Sequence, residues 1–173
     1  SNAVTAYAKL PSPRYNFKIY KAKLIDFVST HEIDMIFPTC EEVFYLSACK
    51  SDLEKYCQVF CEDLALLTKL HDKHGFQALA QQYGMGAIKT FFIENQNGSL
   101  PFLQVQKTYV AKPAFSRFGD KAILDLKPDE VKAHLSANLF PWDVQEQIKG
   151  EEFCSYALCR NGAVIAQSCY QPF

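Results

Sequence analysis

Tyr109-Val110-Ala111-Lys112-Pro113-Ala114-Phe115-Ser116-Arg117-Phe118-Gly119 is a hydrophobic run that ends in a lysine and then turns on small residues. Thr108 to Ala111 is β-branched and aromatic, and Pro113 keeps Lys112 out of a helix because the residue before proline is pushed to extended conformations. Lys112 is therefore expected at a strand end. Behind it, Ala114, Ser116 and Gly119 let backbone N–H groups approach an anion, Lys112 supplies a point charge and Arg117 a forked donor set. That combination suits a phosphate. Read singly, a lysine before proline is a solvated side chain, and a loop arginine makes a surface ion pair worth little.

Downstream, Trp142-Asp143-Val144-Gln145-Glu146-Gln147-Ile148-Lys149-Gly150-Glu151-Glu152-Phe153 runs from a short apolar strand into a polar hinge and a glycine. Here the chain resembles the ATP-grasp family, whose hinge strand reads apolar-Glu/Gln-x-x-apolar-x-Gly-x-Glu; Val144 to Glu152 match it without a gap. The resemblance implies that Gln145 meets the adenine amino group, that the Glu146 carbonyl and Ile148 N–H read the adenine edge, and that Glu152 holds the ribose hydroxyls. Many members carry Glu where this chain has Gln145. An amide carbonyl still accepts from an exocyclic amine, as a weaker, uncharged acceptor. Taken alone, Glu151 and Glu152 read as a solvated turn.

Composition sets outer limits. The chain has 173 residues, 49% of them hydrophobic, enough to bury a core in one domain or two small ones. With 18 basic and 19 acidic residues the net charge is -1. This gives neither a basic field for nucleic acid nor a polybasic segment for a membrane surface. Seven cysteines cannot all pair within one chain, and none forms the two-residue-spaced pair of a zinc or thioredoxin-like site. A reducing cytoplasm fits them. Cys57, Cys61, His71 and His74 make a metal site conceivable, but buried free thiols are commoner and no metal site is assigned. No signal-peptide pattern or membrane-length apolar run is present, and Ser1-Asn2-Ala3 reads as a vector remnant outside the fold.

Taken in order, Val4 to Tyr15 reads as extended or irregular, Tyr20 to His31 as a helix and Ile33 to Phe37 as a short buried strand ended by Pro38. Thr39-Cys40-Glu41-Glu42 comes next, where ligands of open α/β sheets gather. Thr39 and Glu42 make a capping-box pattern, which leaves Glu41 as a weak candidate for contact with a substrate or a partner subdomain. Ser51 to Tyr56 reads as a helix, Gln58 to Phe60 as a strand, and Asp63 to Leu70 as a capped helix. Asp72-Lys73 opens another helix that Gly84 stops. A lysine in a first turn conflicts with the helix dipole, and a bound phosphate removes the conflict. The resemblance gives Lys73 the first phosphate-contacting role; otherwise it is a lysine reaching into water.

Ala87 to Glu94 reads as a strand, Asn95 to Ser99 as a turn, Ala122 to Leu126 as a return strand, and Lys127-Pro128-Asp129 as the start of a helix reaching about Ala137. Phe153 to Cys159 and Ala163 to Tyr170 flank Arg160-Asn161-Gly162, a strong hairpin signal. The expected fold class is α/β and α+β. By resemblance it comprises a partial α/β domain of the kind preceding the grasp (4–71), a small lid subdomain (72–144), then the hinge and first hairpin of the large subdomain (145–173). An α/β sheet lacking its early strands exposes an edge, so a homodimer or loose order near Val4 to Phe17 is an expectation.

The resemblance covers the chain but only about the first half of a catalytic unit. Family members place their magnesium-binding residues beyond the position of Phe173, so the expectation is a truncated piece with little activity of its own. The intact protein is expected to use ATP and Mg²⁺ to phosphorylate a carboxylate or bicarbonate, giving an acyl phosphate for attack by an amine. Asp34 to Glu42, the Lys112-to-Gly119 loop and the hinge look most like the carbamoyl-phosphate-synthase large-subunit branch. The alternatives are a non-catalytic nucleotide-binding or regulatory module and a plain protein-interaction domain.

Overall fold

A computed structural model describes residues 4–86, 88–100, 103–116, 119, 121–135 and 137–171. They fall into two compact units, Ser1–Ala87 and Ile88–Phe173.

In the first unit, α1 (Phe17–Thr30) starts where the Asn16 side chain accepts the Ile19 N–H at 3.3 Å. It buries Tyr20, Leu24 and Val28, one stripe at four-residue spacing. β1 (Met35–Ile36) pairs in parallel with β2 (Gln58–Val59), and between them lie α2 (Glu42–Ala48) and α3 (Lys50–Leu53). The expected buried strand over 33–37 shrinks to two residues flanked by exposed Phe37, because among the described residues its sheet has one other strand. Only the return half of the expected capping box is present: the Glu42 carboxylate takes the N–H of Thr39 at 2.7 Å, the N–H of Cys40 at 3.0 Å and the Thr39 hydroxyl at 3.3 Å. α2 starts at Glu42 itself, and Glu41 at the N-cap makes no side-chain capping bond. Tyr20, Leu24, Val28, Leu46, Cys49, Leu53, Cys57 and Val59 form the core. Burial pushes the Cys49, Cys57 and Cys61 thiols up, so they behave as small hydrophobes.

α4 (Leu64–His71) and α5 (Lys73–Gln82) complete this unit. Asp63 stands at the α4 N-cap without capping it; its carboxylate faces the Lys50 ammonium at 3.5 Å instead. Asp72 does cap α5, accepting the His74 N–H at 3.1 Å, and Gly84 stops it at φ +69°.

The second unit is built on β3 (Thr90–Ile93), β4 (Tyr109–Pro113), β5 (Ile123–Leu126) and β6 (Trp142–Glu146), all antiparallel in the order β3-β6-β4-β5. The expected helix to Ala137 is short: α6 covers only Val131–His134, with a 3-10 turn after it at Ala137–Leu139. Glu130 takes the Lys127 N–H at 3.0 Å, so the proline turn closes on itself before the helix begins. Trp142, Val131, Val144, Ala111, Tyr109, Leu126 and Ile93 form the core on one sheet face. β7 (Cys154–Arg160) and β8 (Ala163–Tyr170) make the expected hairpin, with Asn161 at φ +50° and Gly162 at φ +77°. Every β8 residue is exposed. Among the described residues no helix is long and apolar enough to cross a membrane.

The fold is thus mixed α/β and α+β, as the sequence leads one to expect. α5 counts with the first unit and the hairpin with the second.

Candidate nucleotide site

Strand alternation separates the two faces of the β3-β6-β4-β5 sheet. Tyr109, Ala111, Trp142, Val144, Phe91 and Ile93 point to the core. Val110, Lys112, Asp143, Gln145, Thr90 and Phe92 point the other way. Gln145 lies across from Thr90 on one side and Val110 on the other, with Lys112 diagonal to it and directly opposite Asp143. This second face carries two groups unusual for a sheet interior: Asp143 is 2% exposed and Gln145 6%.

The two residues assigned to phosphate and adenine from separate stretches meet here. The Lys112 ammonium donates to Gln145 Oε1 at 3.1 Å. Gln145 Nε2 donates to Thr90 Oγ1 at 2.9 Å, and that hydroxyl donates to the Ile88 carbonyl at 2.9 Å. A lysine can only donate, so the atom facing it must be the amide oxygen. Ala114 N–H is taken by the Pro141 carbonyl at 2.9 Å, and Ser116 Oγ donates to the Pro113 carbonyl at 3.1 Å. The first bond ties the loop after Lys112 to the residue that enters β6, and the second folds it back on the end of its own strand. Arg117 lies outside the described residues.

The hinge end of β6 is tied to its neighbours. Gln147 N–H donates to the Thr108 carbonyl at 2.9 Å, and ladder alternation therefore turns the Glu146 carbonyl away from β4, toward the β3 side. The Glu146 carboxylate meets the Lys107 ammonium at 2.5 Å. Gln147 Oε1 accepts the N–H of Asp125, which sits at φ +56° in an irregular stretch of β5. Glu146 and Ile148 line an open hollow of about 430 Å³ with Gln106, Lys107, Thr108, Gln147 and Lys149. Lys112 and Gln145 are not among its lining residues. Ile148 is 67% exposed and Glu152 is exposed too. A hollow of about 230 Å³ lined by Ile93, Gly98, Leu100, Lys132, Leu135 and Phe140 lies toward the core face instead.

Lys73 and Glu41 belong to the first unit. Lys73 is half-buried at the start of α5, and Glu41 is exposed just before α2. Among the described residues no group of three or more His, Cys, Asp or Glu side chains is placed to hold a metal. Sequence reading missed Thr90 and Lys107. Neither carries a local signal, since their roles depend on the pairing of β3 with β6 and on the turn before β4.

No protein-family profile and no curated protein matches the sequence. Among solved structures the chain is similar to D-alanine-D-alanine ligase from Helicobacter pylori, with a TM-score of 0.60 and 13% identity. The match covers 76% of this chain and 41% of the ligase chain, so it spans less than half of that protein. Such a likeness is one of fold: over the matched part, the chain has the ATP-grasp fold of that ligase.

Proposed function

We propose that this chain is the nucleotide-binding portion of an ATP-grasp ligase that phosphorylates a carboxylate or bicarbonate, giving an acyl phosphate for attack by an amine. The observation that carries the reading is the Lys112–Gln145 hydrogen bond, which joins a phosphate-type cation to an adenine-type acceptor on one sheet face. In this reading Lys73, Lys112 and Arg117 hold the phosphates, Ser116 shapes the phosphate loop, Gln145, Glu146 and Ile148 read adenine, and Glu152 meets the ribose. Glu41 faces the substrate or a neighbouring subdomain. Positive charge around a transferring phosphoryl group works by positioning and charge stabilisation, and a closed lid protects an acyl phosphate from water.

The placement in the carbamoyl-phosphate-synthase large-subunit branch, the cytoplasmic location, the homodimer and the division at residues 72 and 145 belong to the same proposal. So does the expectation that this chain alone turns nothing over. Mg²⁺, when bound in the intact enzyme, would neutralise charge on the phosphates.

Thermal melting of the full-length protein with ATP tests the reading. ATP at about a hundred times its dissociation constant should add roughly 2.7 kcal/mol of stability. No shift with ATP would remove both the ligase and the nucleotide-binding module.

A further inference from the structure

We propose that Thr90 is a positioning residue that selects a 6-amino over a 6-oxo purine, an inference that rests on the adenine reading of Gln145 above. The Gln145 amide is held from both ends. Lys112 can only donate, which fixes Oε1 toward it at 3.1 Å. Thr90 has one hydroxyl proton and gives it to the Ile88 carbonyl at 2.9 Å. Toward Gln145 its oxygen can therefore only accept, which fixes Nε2 at 2.9 Å.

The two holds are not equivalent once a nucleotide arrives. Gln145 is 6% exposed, and the half-buried Lys112 side chain is bonded to its carbonyl oxygen. A triphosphate draws the ammonium toward itself, because a charged phosphate oxygen is a stronger acceptor than an amide. Oε1 then loses its donor and stands free to accept from an incoming base. At that moment, among the described residues, Thr90 alone keeps the amide from turning over. With the amide held, the 6-amino group of adenine finds an acceptor, whereas the 6-oxo group of hypoxanthine meets another oxygen. Without Thr90 the amide can rotate to offer Nε2, and the distinction fades.

Dissociation constants for ATP and ITP, measured by calorimetry on the full-length protein, test this. The wild type should prefer ATP by about tenfold or more, the size expected of one mismatched hydrogen bond. Thr90→Val should bring the two constants to within about threefold, and Thr90→Ser, which keeps the hydroxyl, should retain the preference. In a Gln145→Glu background, where no amide can turn, Thr90→Val should leave the ratio unchanged. A Thr90→Val protein that melts like wild type and keeps the full preference overturns the proposal. If valine prevents folding, Thr90→Ala carries the same expectation and the same refutation. Wild-type protein that binds neither nucleotide overturns the adenine reading itself, whereas wild type that selects ATP beside a selective Thr90→Val overturns only the role of Thr90.

Discussion

Lys112 serves two acceptors in the proposed cycle, the Gln145 amide and a phosphate, and its removal should be felt unequally by different ligands. Lys112→Ala should weaken triphosphate binding about ten- to a hundredfold, the range of a charge-assisted hydrogen bond, and change adenosine binding far less. Equal losses for both ligands in calorimetry would contradict the assignment. Glu42 offers a separate residue-scale test. Burial opposes its ionisation, but the N–H groups of Thr39, Glu42 itself and Cys40 outweigh burial and hold the carboxyl below its ordinary value of 4.5. A lowered folded value means stability that is present above the ordinary range and lost as pH falls through the folded one. Glu42→Ala should cost about 1 kcal/mol near neutral pH, the size of a lost hydrogen bond, and the gap to wild type in urea melts should close as the pH falls below the ordinary carboxylate range. The strand positions of Lys112 and Gln145 and the Thr39–Glu42 contact were legible because each carries a local signal: a lysine before a proline, a hinge pattern, a three-residue spacing. Thr90 was not, because only the register of β3 against β6 makes it a neighbour of Gln145.

Among the elements, those written in local sequence came out where expected, and those that depend on distant partners did not. The hairpin arises from Asn161-Gly162, whose positive φ values match a two-residue turn. Gly162→Ala forces a Cβ onto φ +77°, which costs about 1 kcal/mol, or roughly fivefold in opening. Hydrogen exchange should speed up in β7 and β8 by that factor and leave β3 to β6 unchanged. Uniform acceleration through the sheet would refute this. The insertion of β6 between β3 and β4 was hidden, since no short-range pattern tells a strand to skip its neighbours. The helix expected up to Ala137 is an exception to that division: its start carries a local signal, but Leu135 is extended, at ψ 107°, and the chain leaves the helix within one turn.

At the level of the molecule, the two cores share no residue. Trp142 is 1% exposed in one and Leu53 0% in the other. Trp142→Ala should cost about 3–5 kcal/mol and Leu53→Ala about 2–5 kcal/mol. Protection from hydrogen exchange should fall mainly in the second unit for the first variant and mainly in the first unit for the other. Loss of the same protection pattern in both variants would mean that the units melt as one. The α/β and α+β class was visible from alternating helix and strand signals, and the partial match to a longer ligase agrees with the resemblance the hinge carried. What residue patterns could not give was the boundary near 87, which comes from packing and not from composition.

Three tethers, from Lys107, Thr108 and Asp125, pin Glu146 and Gln147 to the strands beside them. The next six residues, through Phe153, are exposed and belong to no strand or helix. Any swing of the β7–β8 hairpin must therefore have its axle beyond Gln147, leaving the amide of Gln145 stationary on the fixed side of the joint. In the proposed reading, a substitution within 148–153 would then alter that swing without displacing Gln145.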